Sequence, residues 1–266
     1  RWDRPWSFAE FLDTASALTK RDRSGKVTQW GFVDTWVASY SAGLFGMNNG
    51  VAWSTPRMNP THLNFDNPAF IDGVQFYADL ANKHKVAPTA SAQQSMSTMD
   101  LFSSGRAAMA LGGHWRYQTF DRADGLDFDV TVLPTGPRGR DARSNIGTTG
   151  LAIAASSRRK QQAWEFVKFA TGPIGQALIG ETGLFVPVLR SAIGSAGFAD
   201  AHSRIGNLAV LTGGPAHSEG LPISPEWEKI NALMDRNFGP VLRGSRPATS
   251  LASGLSDEVD EVLRNP

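Results

Sequence analysis

Residues 104–115 read SGRAAMALGGHW, an arrangement that an ordinary core strand does not require. The small apolar run Ala107–Leu111 predicts a strand, and two glycines, a histidine and a tryptophan follow it at once. This places Trp115 at a strand-to-helix junction, beside backbone that carries no side chains. We therefore predict a functional role for Trp115, with packing in a core as the alternative.

Composition limits the classes of protein to be considered. The chain has 266 residues, 41% of them hydrophobic, which is enough for one large core or for two lobes. With 26 Lys and Arg against 25 Asp and Glu, it lacks the basic surface that nucleic-acid binding requires. It contains no cysteine, so disulfides and thiolate metal sites are excluded.

Membrane and export signals are not visible in these residues. No run approaches the roughly eighteen apolar residues of a membrane span. The opening RWDRPWSFAEF lacks the basic and then apolar layout of a signal peptide, so we expect any export signal to lie outside this sequence.

Helix signals recur along the chain. Ser7 with Glu10 predicts a capping box, and Trp6 is placed to pack on Phe11. Further apolar periodicity predicts helices after Asn67, after Ser157, after Ser224 and at the end of the chain. In the helix after Ser157, Trp164 is predicted to be a core residue.

Strand signals lie between these helices, in VTQWGFV (27–33), AAMAL (107–111), DFDVTVLP (127–134) and GLAIAAS (150–156). Helices that alternate with short apolar strands predict an α/β fold.

Known catalytic and cofactor patterns are missing from the sequence. The five histidines show no metal-ligand spacing, and there is no phosphate loop, dinucleotide fingerprint or nucleophile elbow. The glycine-rich turns at 112–115, 145–150 and 183–187 contain no acid, whereas a glycosidase needs two carboxylates across one cleft. We predict no catalytic residue, no metal and no cofactor.

Those turns offer backbone amides, aromatic rings and neutral polar groups instead. A sugar needs a flat apolar surface for its C–H face and neutral hydrogen-bonding groups for its hydroxyls. This favours a carbohydrate ligand. Trp36, Trp53 and Trp227 are candidates for the same role, with core packing as an equal alternative.

Four segments in order resemble one family. They are PWSFAEFLDTASALTKRDRSGKVTQWGF (5–32), FSSGRAAMALGGHW (102–115), LPTGPRGR (133–140) with the following GTTGLAIAASSRRKQQAWEFVKFATGP, and ETGLFVPV (181–188). Together they are similar to the extracellular solute-binding proteins of carbohydrate ABC importers, relatives of maltose-binding protein. The resemblance runs essentially from end to end and implies a two-lobe, type II periplasmic-binding-protein-like fold.

The resemblance also implies how the chain is divided. Residues 1–147 and 187–266 would form the second lobe, and residues 148–186 would return to the first lobe. Members of the family carry a strand-rich segment before the helix that here follows Ser7. Without that segment, we expect residues 150–185 to expose apolar surface and either to associate with a second copy or to be the most mobile part.

The resemblance assigns ligand-binding residues by position. Trp115 would stack on the sugar, and Gly113 would leave room for it. Trp36 follows the GF strand, and Arg190 follows the FVPV turn with a fork of donors for hydroxyls. The full set of predicted ligand-binding residues is Trp115, Gly113, Trp36, Asn48, Asn49, Trp53, Gly147, Thr148, Thr149, Arg190 and Trp227.

The implied function is non-catalytic binding of a sugar or oligosaccharide between hinged lobes, for delivery to the permease subunits of an ABC transporter. The implied location is periplasmic or extracellular, either free or anchored as a lipoprotein. Two alternatives stay open: a carbohydrate-active enzyme, and a binder of a non-sugar ligand such as glycerol phosphate or a polyamine.

Overall fold

A computed structural model describes residues 2, 4–93 and 97–265. The helices, in chain order, are α1 (Phe8–Leu18), α2 (Ala38–Asn48), α3 (Pro68–Asn82), α4 (Ala90–Gln93), α5 (Thr98–Ser103), α6 (Tyr117–Asp121), α7 (Lys160–Thr171), α8 (Pro173–Glu181), α9 (Arg190–Ile193), α10 (Ala196–Ala201), α11 (Ala209–Gly213), α12 (Trp227–Leu242), α13 (Ser250–Ser253) and α14 (Leu255–Arg264). The strands are β1 (Lys20–Arg21), β2 (Val27–Gln29), β3 (Val33–Asp34), β4 (Ala110–Leu111), β5 (Ser144–Asn145) and β6 (Ser218–Glu219).

The chain divides into two compact units. Unit 1 comprises Arg1–Gly112, Val132–Asn145 and His217–Pro266, and unit 2 comprises Gly113–Thr131 and Ile146–Ala216. Residues 187–216 thus share a unit with residues 148–186. The assignment of residues 148–186 to a returning first-lobe segment stays a prediction.

The first helix of unit 1 begins as its sequence predicts. The Ser7 hydroxyl accepts a hydrogen bond from the Glu10 amide, and the Glu10 carboxylate accepts one from the Ser7 amide at 2.7 Å. Trp6 packs edge-on against Phe11, with ring centroids 5.2 Å apart. These contacts fix the direction in which the chain enters α1.

The core of unit 1 lies between α2, α3 and α12, with α13 and α14 packed against it. Asn67 caps α3 by accepting a hydrogen bond from the Ala69 amide, and Pro68 occupies the first turn, where its missing N–H costs nothing. The largest fully buried side chains of this core are Trp53, Phe65, Phe70, Phe238, Met47, Leu63, Ile230 and Met234.

A parallel pair of strands in unit 1 positions the first candidate residues. Val33 of β3 is opposite Ala110 of β4, and Asp34 is opposite Leu111. Thr35 then donates hydrogen bonds to the Leu111 carbonyl from both its amide and its hydroxyl, each at 2.8 Å. The chain therefore leaves both strands at their carboxyl ends, which is where α/β folds bind ligands.

Unit 2 consists of α6–α11 and the loops between them. Its buried residues include Phe198, Ile205 and His202. Gln176 of α8 is buried and receives a hydrogen bond from the Val188 amide at 2.9 Å, which holds the FVPV turn against α8.

The helix α7 differs from what its sequence predicts, because none of its residues is buried. Trp164 is 48% exposed and Phe166 is 63% exposed. The prediction that Trp164 lies in a core is wrong for this chain. An apolar face identifies the side of a helix that packs, but the packing partner must also be present.

Two predicted strands do not form. Residues 127–134 and 150–156 have no strand structure, since within the described chain neither segment pairs with a neighbouring strand. Side-chain hydrogen bonds hold the first of these segments instead: Asp129 accepts from the Asn207 amide at 3.0 Å, and Trp6 donates to the Val132 carbonyl at 2.9 Å. No helix among the described residues has both the length and the apolarity to cross a bilayer.

Candidate functional site

The turn after β4 presents an aromatic ring at the surface of unit 2. Residues His114–Arg116 form a 3-10 turn that follows Gly113, and Trp115 is 43% exposed. A Cβ added at Gly113 would lie 2.0 Å from Cζ3 of Trp115, so only glycine fits beneath this ring. The space above Gly113 is therefore filled by the indole, and the prediction that it is left open for a ligand is corrected.

His114 anchors the same turn. Its Nδ1 lies 3.2 Å from the Leu184 carbonyl, and its Nε2 lies 2.9 Å from Nε2 of His202. Burial, followed by the charge of His202, lowers the pKa of His114 to about 4. The turn that carries Trp115 is thus joined to the loop after α8 and to α10.

In unit 1, an aromatic cluster follows β3. Trp36 stacks on Tyr40 with ring centroids 5.5 Å apart and 19° between the planes. The Tyr40 hydroxyl donates to Oδ1 of Asn231 on α12 at 2.9 Å. Burial raises the pKa of Tyr40, and a hydrogen bond with the Trp227 side chain opposes that rise. The structure therefore brings Trp36 and Trp227 together, with Tyr40 as their common neighbour.

Asp34 fixes the backbone of Trp36 and was missed by sequence reasoning. Its Oδ1 accepts a hydrogen bond from the Trp36 amide at 2.8 Å, and its Oδ2 accepts one from the Tyr77 hydroxyl at 2.5 Å. Burial raises the pKa of Asp34. The signal available in the sequence was an aspartate two residues before a tryptophan at a strand end, the spacing of a side-chain turn. Tyr40 lies in the first turn of α2, four residues after Trp36, which precedes that helix.

Three predicted ligand-binding residues are structural instead. Trp53 is 1% exposed, and its ring fills the space above Gly43. Asn48 is 1% exposed; it donates to the Leu44 and Arg143 carbonyls and accepts from the Arg143 amide. Asn49 is 2% exposed, donates to the Ala69 carbonyl and accepts from the Arg138 amide. The amides of Asn48 and Asn49 are thus occupied within unit 1, whereas Nε1 of Trp53 is buried without a hydrogen-bond partner among the described residues. All three side chains are inaccessible to a ligand in this structure.

The other predicted residues are accessible. Gly147, Thr148 and Thr149 are exposed in an irregular segment that begins at Ile146, the first residue of the second part of unit 2. Arg190 is exposed at the first position of α9.

Residues 2–177 match the model of the bacterial extracellular solute-binding protein family. The chain belongs to this family. It is 28% identical over 210 residues to the maltotriose-binding protein of Pyrococcus abyssi, covering 75% of this chain and 43% of that protein. It is 21% identical over 214 residues to the galactooligosaccharide-binding protein of Bacillus subtilis, covering 80% of this chain and 48% of that protein. The chain spans less than half the length of these two curated relatives.

Solved structures of the family show the same fold. The maltose/maltodextrin-binding domain of Bdellovibrio bacteriovorus, solved with maltotriose bound, superposes with a TM-score of 0.82. That likeness covers 98% of this chain and 67% of the other, at 20% sequence identity. It confirms the α/β, type II periplasmic-binding-protein-like fold.

Proposed function

We propose that this member of the solute-binding family binds a sugar or oligosaccharide and delivers it, chemically unchanged, to the permease subunits of an ABC transporter. The family is defined by binding of a solute outside the cell. Two curated relatives are named for oligosaccharides. Both facts favour a carbohydrate over glycerol phosphate or a polyamine.

The observation that carries this proposal is the exposed indole of Trp115 on a turn without an acidic residue. A flat aromatic face suits the C–H face of a sugar ring. The indole packs over Gly113, in the space that a side chain at that position would occupy. A preorganised ring loses little conformational entropy when a ligand stacks on it.

Unit 1 supplies a second set of suitable groups. Trp36, Tyr40 and Trp227 are half-buried aromatics, and Asn231 provides a neutral amide beside them. We carry forward Trp115, Trp36, Gly147, Thr148, Thr149, Arg190 and Trp227 as the proposed ligand-binding residues, and Gly113 as the residue on which the Trp115 ring packs. Asn48, Asn49 and Trp53 are left out because they are buried.

We extend the proposal to location and assembly. The protein works in the periplasm or outside the cell, either free or held to a membrane by a lipid. The 266-residue chain by itself associates with a second copy through residues 150–185, because Leu151, Phe166 and Ile174 expose more than half of their surface. Apolar patches of this kind recruit partners.

A thermal-shift panel on the full-length protein tests the ligand class. The panel contains maltotriose, a galactooligosaccharide, glycerol phosphate and spermidine. A rise in Tm with a sugar alone, with that sugar recovered intact by chromatography, is the expected result, since ligand bound to the native state stabilises it. Stabilisation only by glycerol phosphate or spermidine, or a sugar product that scales with protein concentration, would overturn the proposal.

A further inference from the structure

Two histidines that are 88 positions apart in the sequence meet in unit 2 through their ring nitrogens. Nε2 of His114 lies 2.9 Å from Nε2 of His202. The two other ring nitrogens each face a backbone carbonyl, His114 at 3.2 Å from Leu184 and His202 at 2.7 Å from Phe198. All four ring nitrogens of the pair are therefore within hydrogen-bonding distance of a partner.

The number of protons on this pair follows from its partners. A carbonyl oxygen only accepts, so each Nδ1 must carry a proton to make its bond. The contact between the two Nε2 atoms needs one further proton, held by either ring. Two neutral imidazoles have two protons and two imidazolium ions have four, so only three protons satisfy all the contacts. That state has one positive charge for the pair.

The surroundings of the pair limit it to at most one charge. His202 is fully buried, with the rings of Phe198 and Tyr117 at centroid distances of 4.2 and 4.6 Å. A second charge is opposed because burial and His202 lower the pKa of His114. Titratable or charged groups around the pair include Tyr117, which hydrogen-bonds Asp121, and Arg204, which pairs with Asp121 at 3.7 Å. Glu181 lies against Gly197 of α10, and Arg116, with a buried Nε, belongs to the same turn as His114.

We propose that His114 and His202 are a positioning pair that shares one proton and thereby fixes the turn carrying Trp115. When the pair loses that proton, two protons remain for three contacts, so one ring must carry its proton on Nε2 instead of Nδ1 and loses its hydrogen bond to the carbonyl. The longer contact, from His114 to Leu184, breaks first. Trp115 follows His114 in the chain, so its ring is held less firmly as pH rises. The consequence for a ligand rests on the proposed function.

Proton-detected NMR of the chain with ¹⁵N-labelled histidine tests the proton count from about pH 5 to about pH 8.5. At low pH, both Nδ1 atoms carry protons and the two Nε2 atoms share one, and the pair loses it at one common midpoint. Independent midpoints for the two rings, or an Nδ1 without a proton across the whole range, would overturn the proposal.

A conservative variant separates positioning from simple packing. His114→Gln keeps an amide donor toward His202 but does not titrate, and His84→Gln in unit 1 is the matched control. The readout is the indole N–H signal of Trp115, assigned by its loss in Trp115→Phe. We expect this signal to move with pH in the wild type and in His84→Gln, at the midpoint of the pair, and to stay fixed in His114→Gln. An equal movement in His114→Gln contradicts the positioning role.

Maltotriose extends the test to binding. We expect its affinity to fall between about pH 5.5 and about pH 8 in the wild type and to change at least threefold less in His114→Gln. A protein that binds no sugar at either pH contradicts the proposed function, while the indole and histidine signals still decide on the pair.

Discussion

The indole of Trp115 lies directly over Gly113, and a methyl group at Gly113 would fall 2.0 Å from Cζ3 and 2.1 Å from Cη2 of that ring. Gly113→Ala must therefore displace the indole, while its backbone angles suit alanine. We expect sugar affinity to fall about tenfold, with the circular dichroism of the fold retained. Titration calorimetry measures the affinity.

The control for this change is Gly150→Ala. Gly150 is exposed, and nothing lies within 4 Å of an added Cβ. We expect Gly150→Ala to bind the sugar with the affinity of the wild type. Equal affinities for both glycine variants would show that the position of the Trp115 ring does not matter for binding.

His62 joins α14 to the 3-10 turn before α3. Its Nδ1 lies 2.9 Å from Asp260 and its Nε2 lies 3.0 Å from Asp66. Burial lowers the pKa of His62, but hydrogen bonds to the two carboxylates outweigh it and the net pKa is raised. The contribution of His62 to the stability of the fold is therefore complete below the pKa that His62 has in the unfolded chain. It is lost as pH rises through the pKa that His62 has in the folded protein.

His62→Gln tests this contact. The site is partly exposed and screened by solvent, so its contribution is at most about 1 kcal/mol. We expect Tm to fall in the variant relative to wild type near about pH 5.5, and the difference to shrink near about pH 8.5. A Tm difference that is the same at both pH values would mean that His62 acts by packing alone.

Self-association of the 266-residue chain is the third prediction. We expect light scattering at about 100 µM to show dimers or larger species, which the double variant Phe166→Glu, Ile174→Glu reduces to monomers. Met58 in unit 1 is 61% exposed, so Met58→Glu is the matched control and should leave association unchanged. A monomeric wild type in which residues 150–185 are as protected from hydrogen exchange as residues 106–133 would contradict both this prediction and the lobe assignment.

Elements with local causes could be predicted from the sequence. The Ser7 and Glu10 cap and the Pro68 start of α3 depend on neighbours within four residues, and both formed as predicted. Strand formation depends on a distant partner, and residues 127–134 and 150–156 do not find one in the described chain. Because pairing depends on residues that are distant in the sequence, β3 and β4 were predicted only as two separate apolar runs and not as a pair.

In the candidate site, too, features with local causes could be predicted and features that depend on distant partners could not. Trp115 and Trp53 both stand near glycines and turn residues in the sequence, yet one is exposed and the other fills the space above Gly43. His114 and His202 have no shared motif, so their meeting depends on how α6 and α10 pack. Asp34 was missed, although its position two residues before Trp36 is a local pattern from which its role could have been predicted.

The most direct test of sugar binding through an aromatic platform is titration calorimetry of the full-length protein with maltotriose, comparing wild type, Trp115→Ala and Met58→Ala. The control also removes an exposed apolar side chain, since Trp115 is 43% and Met58 is 61% exposed. We predict that Trp115→Ala loses about 2 to 3 kcal/mol of binding free energy, a weakening of about 30- to 150-fold, because the stacking surface is gone. Met58→Ala should bind as wild type does. Equal affinities for wild type and a folded Trp115→Ala would contradict the account.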